Sequence, residues 1–252
     1  LLKRWISLPI KNINEINQRL SCVEGFIQDK DLTKKIISEL KSMGDLERLV
    51  GKVASRRINP REILQLKKAL HSISDIHLVC AQSKSKEIKS IAEQLNLCSS
   101  ILQRLEKEVL PDAPMILSKG ETIAPLVNTE LDDLRNIRNN GKAYLADMLE
   151  RETERTGIPS LKIAHNNVFG YYLEVRNSHK DKVPEEWIRK QTLTQAERYI
   201  TQELKEYEAK ILGAEEKILA IETQLFSEIV LAVSEFCGPL QINSNVIAKL
   251  DC

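Results

Sequence analysis

Residues 201–236 read TQELKEYEAKILGAEEKILAIETQLFSEIVLAVSEF, thirty-six residues without a proline. Leu204, Ile211, Ile218, Leu225 and Ala232 recur every seven residues, and Tyr207, Ala214 and Ile221 follow the first three at a distance of three. A seven-residue repeat of this kind makes a helix with one apolar seam, and the seam needs a partner. At about 1.5 Å per residue the helix would be roughly 54 Å long, a rod rather than one element of a compact domain. The partner is upstream: residues 129–156 also lack proline. Their Leu131, Leu134, Gly141, Leu145 and Met148 fall on the rows 131-138-145 and 134-141-148, which Arg138 and Gly141 weaken. The expectation is an antiparallel helix pair, with Gly238-Pro239 ending the second helix. On periodicity alone, a structural spacer or a dimerising coil fits equally well.

Between these helices lies an insert, residues 158–200, with a different character. It holds five of the eleven aromatic residues: Phe169, Tyr171, Tyr172, Trp187 and Tyr199. Leu161 to Asn166 alternates moderately and Val168 to Arg176 alternates well, with Phe169, Tyr171, Leu173 and Val175 on one face. Asn166-Asn167 suits a tight turn between two strands. Trp187 to Leu193 runs out again, 194–196 turns, and 197–200 returns to the long helix. If each strand simply reverses the last, the turns at 166–167 and 194–196 both lie at the distal tip. The loop 177–184 would then be proximal.

The first hundred residues carry short amphipathic helices. Asn14 is a candidate cap for a helix with Ile16, Leu20, Val23 and Ile27 on one face, and Asp31 for one with Leu32, Ile36 and Leu40. Gly44-Asp45 breaks the pattern before Leu46, Leu49 and Val53. Asn59-Pro60-Arg61-Glu62 combines a cap residue, proline at the first helical position and Glu three after the cap. Further helices are expected over 84–97 and 99–109, and Pro111, Pro114, Gly120 and Pro125 punctuate a loop. The fold class is therefore mainly α, a helical bundle with a long antiparallel helix pair carrying a small inserted antiparallel sheet.

Composition excludes several classes. With 42% apolar and 29% charged residues, wholesale disorder is out. No apolar run reaches the ~18–20 residues of a membrane span, and the N-terminus does not read as a signal peptide. Five cysteines, an odd number without a CxxC pair, point to reduced thiols in a cytoplasm. The chain opens on Leu-Leu and stops at Asp-Cys, and reads as a stretch of something larger. No enzyme constellation survives inspection: Gly51-Lys52 and Gly141-Lys142 lack the rest of a phosphate loop, and no GxSxG or GxGxxG occurs. The four histidines have no metal-ligand spacing. The expectation is a chain that is not itself an enzyme and holds no metal or cofactor.

Charge is distributed unevenly behind a net +1. Residues 1–128 carry 21 basic and 15 acidic side chains; 129–157 carry 5 and 7; 158–200 carry 7 and 5; 201–235 carry 3 and 8. The insert is thus a basic block between two acidic ones. Lys162, Arg176, Arg189, Lys190 and Arg198 lie on its strands, with Asn166, Asn167, Thr194 and Gln195 at its turns. Such residue types bind phosphate oxygens without reading bases. The plainer alternative is that the aromatics form a small core and the charges only solubilise it.

The motifs GIPSLK (157–162), Asn166 before VFGYY, VPEEWIRKQTL (183–193) and AERYITQELKE (196–206) resemble the clamp region of the MutS family of DNA mismatch repair proteins. LLKRWISLP, NQRLSCVEGF and GDLERLVGKVASRRINPRE resemble that family's core and lever helices. The resemblance implies a helical core and lever domain (1–128), a clamp region (129–210, sheet about 158–200) and a returning lever helix (211–252). It implies a clamp that contacts the DNA backbone without sequence preference, through Asn166 and the 194–195 pair, and is coupled by the levers to an ATPase absent from this chain. ATP and Mg would serve that ATPase. Partners implied are double-stranded DNA, a second subunit and a MutL-type repair protein, in a bacterial, nucleoid-associated setting. The family commonly has Lys-Asn where this chain has Thr194-Gln195. A coiled-coil scaffold whose sheet binds a protein partner is the other reading of the same residues.

Overall fold

The computed structural model describes residues 2–166, 168 and 170–252. Two compact units divide them, one containing the chain up to Val127 together with Glu222–Cys252, the other Asn128–Ile221.

The first unit is helical. Its helices from the N-terminal stretch are α1 (Leu2–Ser7), α2 (Ile13–Gln28), α3 (Lys30–Met43), α4 (Leu46–Ala54), α5 (Pro60–Ala81), α6 (Lys86–Gln94) and α7 (Ser99–Glu108), and the C-terminal stretch adds two more helical segments. Helix α5 is its centre, with Ile63, Leu66, Leu70, Ile73 and Ile76 fully buried. Asn59 caps α5 reciprocally with Glu62, as the sequence expects. Two other starts differ. Asn12, not Asn14, caps α2, and Asp29, not Asp31, caps α3 by accepting from Leu32 N–H at 2.9 Å. Asp31 instead sits in the first turn of α3, where its charge suits the helix N-terminus. Leu20, Val23 and Ile27, expected to face a core, are exposed together with Ile13.

The second unit contains α8 (Thr129–Thr156), capped by Asn128, and the N-terminal part of α9 (Gln202–Ser234). The two run antiparallel. Tyr144 stacks on Tyr207 with ring centroids 5.1 Å apart, and both Tyr144 and Arg151 reach Glu203, at 2.7 and 2.6 Å. Gly141, read in the sequence as a weak point of the seam, is where Tyr207 and Ile211 pack onto α8; a Cβ there would meet the Tyr207 hydroxyl. The expected heptad is buried from Leu204 through Tyr207, Ile211 and Ala214 to Ile218. Beyond it the buried positions become Glu222, Phe226, Ile229, Val230 and Val233, and Leu225 and Ala232 are only half-buried. A straight α-helix drifts about 20° per heptad from a strict seven-residue repeat, so the seam moves round. Helix α9 ends at Ser234, and Gly238-Pro239 lie inside the first turn of α10 (Cys237–Asp251). A proline there removes only an N–H that would have no helical partner.

The insert folds into β1 (Lys162–Asn166), β2 (Gly170–Arg176), β3 (Ile188–Thr192) and β4 (Ala196–Ile200), in the order β1-β2-β4-β3. All neighbours are antiparallel. Met148, Ile158, Leu161, Leu173, Val175, Trp187, Tyr199 and Leu204 form its core. Phe169, expected on that face, lies outside the described residues.

Strand direction departs from the simple reversal. β2 and β3 both pair antiparallel with β4, so they run the same way. The segment 177–187 is therefore a crossover that returns along the sheet, drawing Trp187 and partly Val183 into the core. Burial of those two apolar side chains is the physical reason. In consequence the two turns do not share one tip. Asn166 pairs with Gly170 at one end, and Arg176 pairs with Ala196 at the other. Six residue steps along β2 put them roughly 20 Å apart. The loop 177–182, expected far from residues 194–195, lies beside them.

Candidate nucleic-acid interface

Strand alternation sorts the side chains of the sheet. Leu173 and Val175 enter the core, so Tyr172, Glu174 and Arg176 belong to the opposite face. Register aligns Lys162 with Glu174, Glu174 with Arg198, and Arg198 with Gln191 in one row across that face. Arg198 is the tie of this row: Nε donates to Glu174 Oε2 at 3.3 Å and Nη1 to Gln191 Oε1 at 2.8 Å. Its guanidinium also lies 4.5 Å from the centre of the buried Tyr172 ring. A half-buried arginine engaged on three sides holds strands together, and little of it is left for a ligand.

Arg189 is exposed and its Nη1 stands 3.4 Å from Glu197. The Tyr199 hydroxyl donates to the other oxygen of Glu197, and burial together with that carboxylate pushes the phenol up to about 12. Lys190 falls at the bulge between Arg189 and Gln191 and is exposed. Lys162 and Arg176 are exposed as well. Among the described residues these three cations have no side-chain partner. Thr194 and Gln195 are exposed at the adjoining turn, whose carbonyls accept from Asn177.

The other turn is different. The Asn166 side chain accepts the N–H of Val168 at 2.9 Å, so it builds the turn. Asn167 lies outside the described residues. Gly170 has φ +72°, and the Glu208 carboxylate of α9 lies against it. Tyr171 meets Tyr207 edge-on at 5.5 Å, and His165 stands 4.9 Å from Tyr171. This end is docked on the helix pair, next to a negative charge.

Of the eight residues expected at the interface, Thr194 and Gln195 form the turn at one end with Arg176, and Lys162 and Lys190 stand two to three residues back from it on the two edge strands. Arg198 and Arg189 serve the sheet itself, and Asn166 is at the far end. Asn177 was not expected there; only the crossover brings it in, and neither residue type nor spacing announces it. Lys182, in the same loop, donates to Gly157 O at 3.0 Å and so caps the C-terminus of α8. No single helix among the described residues is long and apolar enough to cross a membrane.

Residues 126–217 match the family model described as MutS family domain IV. The chain is 57% identical over 252 residues to the DNA mismatch repair protein MutS of Bacteroides fragilis and 56% identical to that of Phocaeicola vulgatus. It is 50% identical over 251 residues to that of Porphyromonas gingivalis. In each case the whole of this chain aligns, and it spans 28–29% of the relative's length. The sheet and the helix arms beside it thus match MutS family domain IV, and the whole chain is similar to a stretch of MutS proteins at half identity or better.

Proposed function

We propose that the chain is the lever and clamp portion of a DNA mismatch repair protein, and that the sheet end bearing Lys162, Arg176, Lys190, Thr194 and Gln195 contacts the DNA backbone. The observation that carries this is three unpaired, exposed cations in the half of the sheet that ends in an exposed polar turn. Ammonium and guanidinium groups displace condensed counterions from phosphates, and hydroxyl, amide and backbone N–H groups fix the register without reading bases. Helices α8 and α9 would transmit the engagement of that end along the chain. The names of the relatives supply the mismatch-repair context, and the family resemblance supplies the ATPase, the second subunit and the MutL-type partner.

This chain's residues do not fit Mg-ATP. No GxxxxGK[ST] stretch occurs, and among the described residues no three His, Cys, Asp or Glu side chains gather as a metal site. Nucleotide chemistry would come from other residues.

The test is a fluorescence-anisotropy titration of matched and G·T-mismatched duplexes at several salt concentrations. With about 2–4 phosphates neutralised, log affinity should fall against log salt with a slope of about −2 to −4. Matched and mismatched duplexes should bind within about threefold of each other, since no groove reader or wedge is part of this end. Salt-independent binding, or capture of a protein instead of DNA, would favour the scaffold reading.

A further inference from the structure

The turn between β3 and β4 is closed by Leu193 N–H, which donates to Ala196 O at 2.8 Å. Its two central carbonyls are both held by one residue outside the hairpin. Asn177 donates its backbone N–H to Gln195 O at 3.1 Å and its side-chain Nδ2 to Thr194 O at 3.1 Å. The first bond extends the β2–β4 ladder and needs no particular side chain. The second does.

A trans peptide is planar, with its carbonyl and N–H pointing in opposite directions. Because the Thr194 carbonyl is drawn to Asn177, the N–H of the same peptide, on Gln195, faces the other side of an exposed turn. Among the described residues that N–H donates to no other group. Turn types that differ by a flip of the central peptide are close in energy, so a two-residue turn without an anchor can present either its N–H or its carbonyl.

We infer that Asn177 is a positioning residue which holds the 194–195 peptide so that the Gln195 N–H, and not the Thr194 carbonyl, meets a DNA phosphate. The inference rests on the backbone-contact reading above and adds to it the atom that binds and the residue that aims it. A backbone N–H is a normal phosphate ligand, whereas a carbonyl turned to the same place would oppose an anion. Arg176, the residue before Asn177 and the register partner of Ala196, brings an exposed cation to the same end. One short stretch of chain therefore supplies charge and orientation together.

The experiment compares the unaltered chain with Asn177→Ala and Asn177→Asp. Affinity is read by anisotropy on a matched duplex at several salt concentrations, and the Gln195 amide by ¹⁵N–¹H correlation spectra with and without the duplex. Asn177→Ala should bind about three- to tenfold more weakly, the net worth of one ordinary hydrogen bond, since the phosphate contact is misaimed and not abolished. Its salt slope should stay unchanged, because no charge is lost. In the unaltered chain the Gln195 amide should shift on adding DNA; in Asn177→Ala that shift should be lost while the melting temperature holds. Asn177→Asp, which cannot donate and adds a charge, should bind more weakly still. Absence of salt-dependent binding by the unaltered chain would overturn the backbone-contact reading, and this one with it. Salt-dependent binding in which the Gln195 amide stays still, or in which Asn177→Ala binds like the unaltered chain, would overturn the positioning role alone.

Discussion

The two turns of the sheet look alike in sequence and do opposite work. Each opens on two polar residues, Asn166-Asn167 in one and Thr194-Gln195 in the other. The 194–195 turn leaves its side chains in solvent, with Lys162, Arg176 and Lys190 near it. The 166–170 turn spends the Asn166 side chain on its own backbone and lies against Glu208 and the Tyr171–Tyr207 contact. Polar turn residues therefore do not mark a binding surface; what decides is whether the neighbouring element arrives with charge of the same or opposite sign, or with a ring to pack.

The strongest way to break this contrast is Gly170→Ala. A side chain at φ +72° is strained, and its Cβ would displace Glu208. The expected cost is about 1–3 kcal/mol in thermal or urea unfolding, with the salt slope of DNA binding unchanged. A changed slope would mean that the docked end also touches DNA.

A smaller effect is expected from charge. Lys180→Glu, in the loop that Asn177 ties to the exposed turn, should weaken duplex binding by roughly fivefold and flatten the salt slope. Asn166→Asp should stay within about twofold. The simple-reversal topology demands the reverse ranking, so a greater effect at Asn166 would contradict the crossover.

The smallest effect appears only in alkali. Tyr199 titrates near 12 in the fold, whereas an unfolded tyrosine titrates near 10. A raised folded value favours the neutral phenol, so its contribution is intact below about pH 10 and fades as pH rises through about 12. Urea unfolding across that window should show falling stability that Tyr199→Phe flattens. Equal slopes for the two proteins would mean that the phenol is not held by burial and Glu197.

Much of the fold is legible locally. Asn59 with Glu62 marks the start of α5, and Thr129 to Thr156 is one helix from end to end. These signals live within a few residues of the structure they specify. Strand direction does not. Eleven residues between Arg176 and Ile188 can either reverse or cross over, and the outcome depends on Trp187 meeting Met148 and Ile158, side chains some 30–40 positions upstream. The candidate site inherits that uncertainty: Lys162 and Gln195 were readable by type, but Arg198 was not readable as a strand tie. Its occupation depends on Glu174 and Gln191 arriving from two other strands. Leu20, Val23 and Ile27 show the converse: of the stripe they form with Ile16, plain in the sequence, the structure leaves these three exposed and Ile16 half-buried.

Strand order also constrains how the sheet can be made. β4 is the last strand in the chain and yet lies between β2 and β3. During synthesis β1 and β2 can zip into a hairpin as soon as they emerge, but β3 has nothing to pair with until residues 196–200 follow. At ribosomal speeds of roughly 5–20 residues per second the wait is short, about 0.4–1.6 s. In refolding of the finished chain, however, β3 and β4 can pair locally, and the sheet closes only when that hairpin docks on β2 across the eleven-residue crossover. Such non-local closure is slow compared with hairpin or helix formation. The basic end of the sheet, which β4 and its turn complete, should therefore be the last part of this unit to acquire its shape.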